Sequence, residues 1–330
     1  MNKRRKQMNV SRRDFLRMCG VSAAAFGLTC TDVKAIETLL ASSNAPAVIW
    51  LQGSSCNGCS ISLLNRISDS SPKTIDELLL GPIDLIFHPN VMGPSGSEAV
   101  AAIRATKNYI LVLEGGVPTA FDGMACIVWS ENGKDVSYGE AIRSLAPGAS
   151  KIICVGQCAC FGGIPKSGNN PTQIVSASSY TGMETINIAG CPAHPDWIIG
   201  TIAQLLAGNS VPLDEYGRPV SIFGETVHTN CPRLGKEKAV TFAETDKCMM
   251  DLGCRGPFTF APCPYQKWNN GVSWCVNAGS TCIGCTDPAY PTAEAFYSPL
   301  GLSSFYGNGK KGRKDKRDER EDRDEREDRD

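Results

Sequence analysis

Sixteen of the 330 residues are cysteine, and most of them fall into short, regularly spaced groups. Cys56 and Cys59 form a Cys-x-x-Cys pair, Cys158 lies in the glycine-bounded run Gly156 to Gly163, and Cys191 precedes Pro192. Four thiolates from these three places satisfy the ligand count of a 4Fe-4S cube, and flanking glycines let backbone N–H groups approach its sulfides. A structural zinc ion fits the same count, and a Cys-x-x-Cys pair alone also fits a redox dithiol. A second group is His228, Cys231, Cys248 and Cys254, which suits a Cys₃His zinc site or a cluster with one imidazole ligand. A third group, Cys263, Cys275, Cys282 and Cys285, gives four ligands for one more cube. Besides Cys19 and Cys30 near the N-terminus, Cys126, Cys154 and Cys160 are left over; Cys126 and Cys154 read as small buried hydrophobes, and Cys160 stands two residues from a proposed ligand. Disulfides compete for all of these, but the chain is long enough to fold without staples.

Positioning the first group requires a scaffold that brings distant loops together. From Ala47 the chain alternates β-rich runs (47–51, 83–87, 109–113, 151–155 and 185–188) with helical patterns (60–67, 97–106, 138–145 and 195–206). This predicts an α/β fold with a doubly wound parallel sheet, whose binding sites form beyond the carboxyl ends of the strands. Those ends carry Cys56, Cys158 and Cys191. Glu114 and His88 are polar residues at strand ends, expected to hydrogen-bond near them. After about Gly208 the alternation stops and Gly, Pro, Asn and Cys dominate. We expect a domain over 46–208 and a second, irregular one over 209–306 that metal ligation holds together.

Composition removes several function classes. A net charge of −1 supplies no basic footprint for nucleic acid. No stretch after the N-terminus approaches the eighteen apolar residues of a spanning helix. At the N-terminus, Ser11-Arg12-Arg13-Asp14-Phe15-Leu16-Arg17 precedes a weakly apolar stretch from Met18 to Thr29, which reads as a twin-arginine export signal over 1–45 and predicts a periplasmic protein. That route carries folded proteins, which suits cofactors inserted beforehand. At the other end, 307–330 is almost wholly charged, with Arg317, Arg320, Arg323, Arg326 and Arg329 at every third position, and reads as a disordered or solvated tail.

Over 46–306 the sequence resembles the small subunit of nickel-iron hydrogenases. The resemblance rests on Trp50-Leu51-Gln52-Gly53 through Cys59-Ser60, Glu114-Gly115-Gly116, Gly156 to Gly163, Gly190-Cys191-Pro192, Thr226-Val227-His228, Cys231-Pro232, Leu252 to Pro257 and Cys282-Ile283-Gly284-Cys285. It implies a flavodoxin-like domain followed by a cluster-binding domain. It implies further that Cys56, Cys59, Cys158 and Cys191 hold a proximal cluster, that Cys263, Cys282 and Cys285 belong to a middle one, and that His228, Cys231, Cys248 and Cys254 hold a distal one. The chain would then relay electrons between hydrogen, activated at a nickel-iron or nickel-iron-selenium centre in a large subunit, and a c-type or membrane cytochrome.

Two departures refine this. The commoner pattern has a 3Fe-4S middle cluster and a proline where this chain has Cys275 after Trp274. The run from Trp268-Asn269-Asn270-Gly271 to Trp274-Cys275 resembles the nickel-iron-selenium branch, so three 4Fe-4S clusters are expected. Oxygen-tolerant members carry extra cysteines where this chain has Gly58 and Gly163, so a conventional four-cysteine proximal cube is expected.

Overall fold

The computed structural model describes residues 46–67, 74–75 and 83–291; the segment expected to be an export signal and the charged tail lie outside them. In chain order the elements that matter are β1 (Ala47–Gln52), α1 (Gly58–Leu64), β2 (Asp84–Phe87), α2 (Gly96–Ala105), β3 (Tyr109–Glu114), β4 (Val117–Pro118), β5 (Ile127–Glu131), β6 (Lys134–Ser137), α3 (Tyr138–Leu145) and β7 (Ala149–Val155). They continue with α4 (Gly156–Phe161), α5 (Gly163–Lys166), β8 (Ile174–Val175), α6 (Ala177–Thr181), β9 (Ile186–Ile188), α7 (Pro195–Leu206), α8 (Val220–Phe223) and α9 (Cys263–Gln266).

Five strands form one parallel sheet in the order β2-β1-β3-β7-β9. The continuous apolar runs of β1 and β3 are explained by burial on both faces: Val48 to Leu51 and Tyr109 to Leu113 are all inaccessible. The helices predicted at 138–145 and 195–206 are found there, while the one predicted at 60–67 begins earlier, at Gly58. Ser137 and Glu140 cap the start of α3 reciprocally, each side chain bonding the other's backbone N–H.

Three features were not expected. The β5–β6 hairpin turns on Asn132 and Gly133, both at positive φ (53° and 75°), the backbone of a two-residue type I′ turn. A small antiparallel pair joins β4 to β8. Cys158 sits on a helix, α4, where a loop was predicted.

The register fixes the site. Gln52 pairs with Glu114, Glu114 with Val155, and Val155 with Ile188, so four strands end level. The segments that leave them, starting at Gly53, Gly115, Gly156 and Ala189, therefore emerge side by side. Beyond α7 the described chain is built of turns, single β-bridges and helices of three or four residues.

Candidate cluster-binding sites

Beyond β1, the first segment is tied to its neighbour by Gly53 N–H to the Glu114 carbonyl (2.7 Å) and by paired backbone bonds between Ser54 and Gly116 (3.1 and 3.0 Å). Asn57 then takes the left-handed conformation (φ 62°) and α1 begins, which puts Cys59 in its first turn. Backbone donors in a first helical turn have no partner within the helix. Here Cys59 N–H and Ser60 N–H both donate to Glu114 Oε1 at 3.2 Å. The other oxygen, Oε2, accepts from Trp50 Nε1 (3.0 Å) and Ser60 Oγ (2.5 Å). The Glu114 side chain, 1% exposed, is thus the hub that fixes the Cys59 backbone.

His88 completes this buried network. Its Nδ1 accepts from Asn90 N–H (3.2 Å), which places the ring proton on Nε2, 3.3 Å from Ser60 Oγ. Burial lowers the imidazole pKa to about 4, so it is neutral.

The four thiols of the first group meet here. Burial pushes Cys59 well above the usual thiol range, and the Glu114, Cys158 and Cys191 charges add to it, while the Ala193 N–H 3.5 Å from its sulfur opposes. Burial raises Cys158 to about 12, with further contributions from Cys191, Cys56 and Glu114. Cys191 is raised by burial and by Cys56, with a Tyr290 hydrogen bond opposing. Cys59, Cys158 and Cys191, with the exposed Cys56 beside them, are unfavourable neighbours as free thiolates, and bound cationic iron removes that conflict.

The surrounding backbone keeps room around these sulfurs. A Cβ on Gly156, at φ +84°, would stand 2.2 Å from Cys59 Sγ. At Gly58 and Gly163 it would stand 3.1 Å from Cys56 Sγ and Cys158 Sγ respectively, so both positions abut sulfurs of the first group.

The second group surrounds one cavity, whose wall includes His228, Cys231, Cys248 and Cys254 together with Arg233 and Trp274. Local backbone bonds shape it: Cys231 N–H reaches the His228 carbonyl (3.1 Å), His228 N–H the Gly256 carbonyl (3.0 Å) and Cys254 N–H the Met249 carbonyl (3.2 Å). Burial raises the Cys254 thiol, hydrogen bonds from Gly256 and Cys282 lower it, and Cys231 and Cys248 raise it.

The third group also shares one cavity, of about 390 Å³, bounded by Cys263, Cys275, Cys282 and Cys285 and by Trp268 and Trp274. Burial raises Cys263 to about 12, with the Cys282 and Cys275 charges adding and a Trp268 hydrogen bond opposing. Cys285 and Cys282 are raised further still, again chiefly by burial.

The three groups are in series. Cys191 of the first group lines the cavity of the third, and the Arg255 N–H beside Cys254 of the second bonds the Cys282 carbonyl (2.8 Å). The third group therefore stands between the other two. Among the described residues no three His, Cys, Asp or Glu side chains converge on a site for a single metal ion. A zinc ion would draw its sulfurs to within about 4 Å of one another, at Zn–S distances of about 2.3 Å.

Residues outside the three groups also have defined places. Cys154 is fully buried and Cys126 half-buried against the core. Cys160, 1% exposed, donates its S–H to the Cys154 carbonyl (3.3 Å). Sequence reasoning noted Glu114 and His88 without their shared partner Ser60, and it missed Gln157, whose Nε2 bonds the Asp287 carbonyl (2.5 Å) and ties α4 to the second half of the chain.

Comparison with known proteins identifies the family. The family model for the C-terminal part of the NiFe/NiFeSe hydrogenase small subunit matches residues 223–298, and that for the 20 Kd subunit of NADH ubiquinone oxidoreductase matches 56–205. The periplasmic [NiFeSe] hydrogenase small subunit of Desulfomicrobium baculatum is 38% identical over 88% of this chain and 99% of its own length. The chain belongs to the nickel-iron hydrogenase small subunits. The periplasmic [NiFe] hydrogenase small subunit of Solidesulfovibrio fructosivorans is 36% identical over 89% of this small subunit and 95% of its own length. A crystal structure of the Desulfomicrobium baculatum Ni-Fe-Se hydrogenase superposes with a TM-score of 0.71 at 39% identity, covering 77% of this chain and 99% of that one. As a hydrogenase small subunit, the chain is the iron-sulfur, electron-transfer member that pairs with a catalytic large subunit. Among the described residues no helix is long and apolar enough to cross a membrane.

Proposed function

We propose that this small subunit holds three 4Fe-4S clusters in series: one on Cys56, Cys59, Cys158 and Cys191, a middle one on Cys263, Cys275, Cys282 and Cys285, and one on His228, Cys231, Cys248 and Cys254. The observation that carries the reading is the pair of links between groups: Cys191 lines the cavity of the third group, and the Arg255 N–H beside Cys254 bonds the Cys282 carbonyl (2.8 Å). When bound, such clusters supply reversible one-electron couples.

The chain's own residues supply the rest. Glu114 orients Cys59 through its backbone, the glycines at 58, 156 and 163 leave room beside the sulfurs, and Trp268 hydrogen-bonds Cys263. Cys275 lines the middle cavity with the other three cysteines, which supports a fourth thiolate for a fourth iron. The first group faces the large subunit with its nickel-iron or nickel-iron-selenium centre. The second serves the acceptor, a c-type or membrane cytochrome. Export by the twin-arginine route agrees with the periplasmic relatives. We assign the first group to a domain over 46–208 and the other two to one over 209–306.

Metal analysis of the purified complex tests this. A nickel-containing large subunit should co-purify, and the small subunit should hold roughly twelve iron atoms, four for each cube. Stoichiometric zinc, a stable monomer with all clusters, or a one-per-molecule 3Fe-4S spin signal would overturn the respective parts.

A further inference from the structure

Trp274 is 4% exposed, and among the described residues its indole Nε1 has no hydrogen-bond partner. A buried N–H without an acceptor is destabilising, so such a group calls for an acceptor. Its surroundings narrow the choice. The side chain lines the cavity of Cys263, Cys275, Cys282 and Cys285 and also the cavity of His228, Cys231, Cys248 and Cys254. The contrast with the neighbouring tryptophan is informative: Trp268 already hydrogen-bonds the Cys263 thiol.

We propose that Trp274 donates its indole N–H to a sulfur of one of the two clusters it separates, and so raises the reduction potential of that cluster. This rests on the cluster assignment above. The physical basis is that reduction adds negative charge to the cluster sulfurs, so a donor fixed against one of them stabilises the reduced state. Trp274 is a positioning and tuning residue on the path between the middle and outer groups. It is not a ligand.

The test uses the complete two-subunit enzyme and two variants. One is W274F, which removes the donor. The other replaces Trp274 by β-(3-benzothienyl)alanine, a tryptophan isostere with sulfur in place of the N–H, which removes the donor while keeping the shape. Potentiometric titration followed by EPR should show the midpoint potential of one cluster falling in both variants, with the other two clusters unchanged. A shift in the middle or in the outer cluster identifies which sulfur accepts the bond. Pulsed EPR of enzyme labelled with [¹⁵N-indole]tryptophan should show a nitrogen coupling to the same reduced cluster that W274F removes, any coupling from Trp268 persisting in the variant. Unshifted potentials in the isostere, or an unchanged nitrogen coupling in W274F, overturn the proposal. Full iron content with unshifted potentials refutes the role of Trp274 alone, whereas absence of iron from the unmodified enzyme overturns the cluster assignment and this role with it.

Discussion

Glu114→Gln is the sharpest test of how the fold positions Cys59. Four donors converge on this carboxylate: Cys59 N–H and Ser60 N–H on Oε1, and Trp50 Nε1 and Ser60 Oγ on Oε2. Glutamine has nearly the same shape but only one acceptor oxygen, and its amide nitrogen is itself a donor. Whichever way it turns, two of the four donors lose their acceptor in a buried site. At about 1–3 kcal/mol for each, the loss is roughly 2–6 kcal/mol, a large share of the 5–15 kcal/mol by which domains are typically stable. With roughly 2–4 °C lost per kcal/mol in a protein of this size, the unfolding midpoint should fall by about 4 °C or more. Differential scanning calorimetry at a fixed scan rate measures this, and iron analysis should show the first cluster depleted as Cys59 is released. A midpoint shifted by less than about 4 °C with iron content intact would refute the hub role.

Other substitutions probe separate parts of the structure. Gly156→Ala imposes a left-handed φ on a residue with a Cβ, costing roughly 1–2 kcal/mol, and drives that Cβ onto Cys59 Sγ; iron analysis should show about a third of the iron lost, one cluster in three. Arg218 bonds Asp214 (Nε, 2.8 Å) and the Thr286 carbonyl (3.0 Å) among the rings of Tyr216, Phe223 and Phe260, so Arg218→Met should cost roughly 3–5 kcal/mol in denaturant unfolding. Arg218→Lys should recover only part of that, because an ammonium cannot serve both acceptors in the fork geometry. His88 gives a pH signature. Its folded pKa of about 4 lies below the unfolded value of about 6.5, so the unfolded chain binds more protons between them and stability is lost as pH falls through that window. The loss is about 3 kcal/mol, and His88→Gln should flatten the stability profile between pH 6.5 and 4.

The sheet was legible because strands buried on both faces must be apolar throughout, as Val48 to Leu51 and Tyr109 to Leu113 are. The β5–β6 hairpin was missed although Asn132-Gly133 signals it, because both strands are largely half-buried or exposed and the second, Lys134–Ser137, carries no apolar run to pair with Ile127-Val128-Trp129. Helix α4 escaped because six residues starting on a glycine and followed by another show too little period to read. The cysteine groups were legible as spacings, since the turns that hold His228 near Cys231 are local. What spacing could not reveal were contacts across the sheet: Glu114 meets Cys59 only because β1 and β3 pair in register. The place of Trp274 between two cavities likewise depends on chain segments far apart in sequence.

The serial arrangement has a consequence for biosynthesis. The group that stands between the other two, Cys263 to Cys285, is the last of the three in sequence. A ribosome therefore delivers both outer groups before it delivers the one that links them. Until Cys285 emerges, a growing chain has its two terminal sites with a gap between them, and the path is closed from the middle only when the described part of the polypeptide is nearly complete.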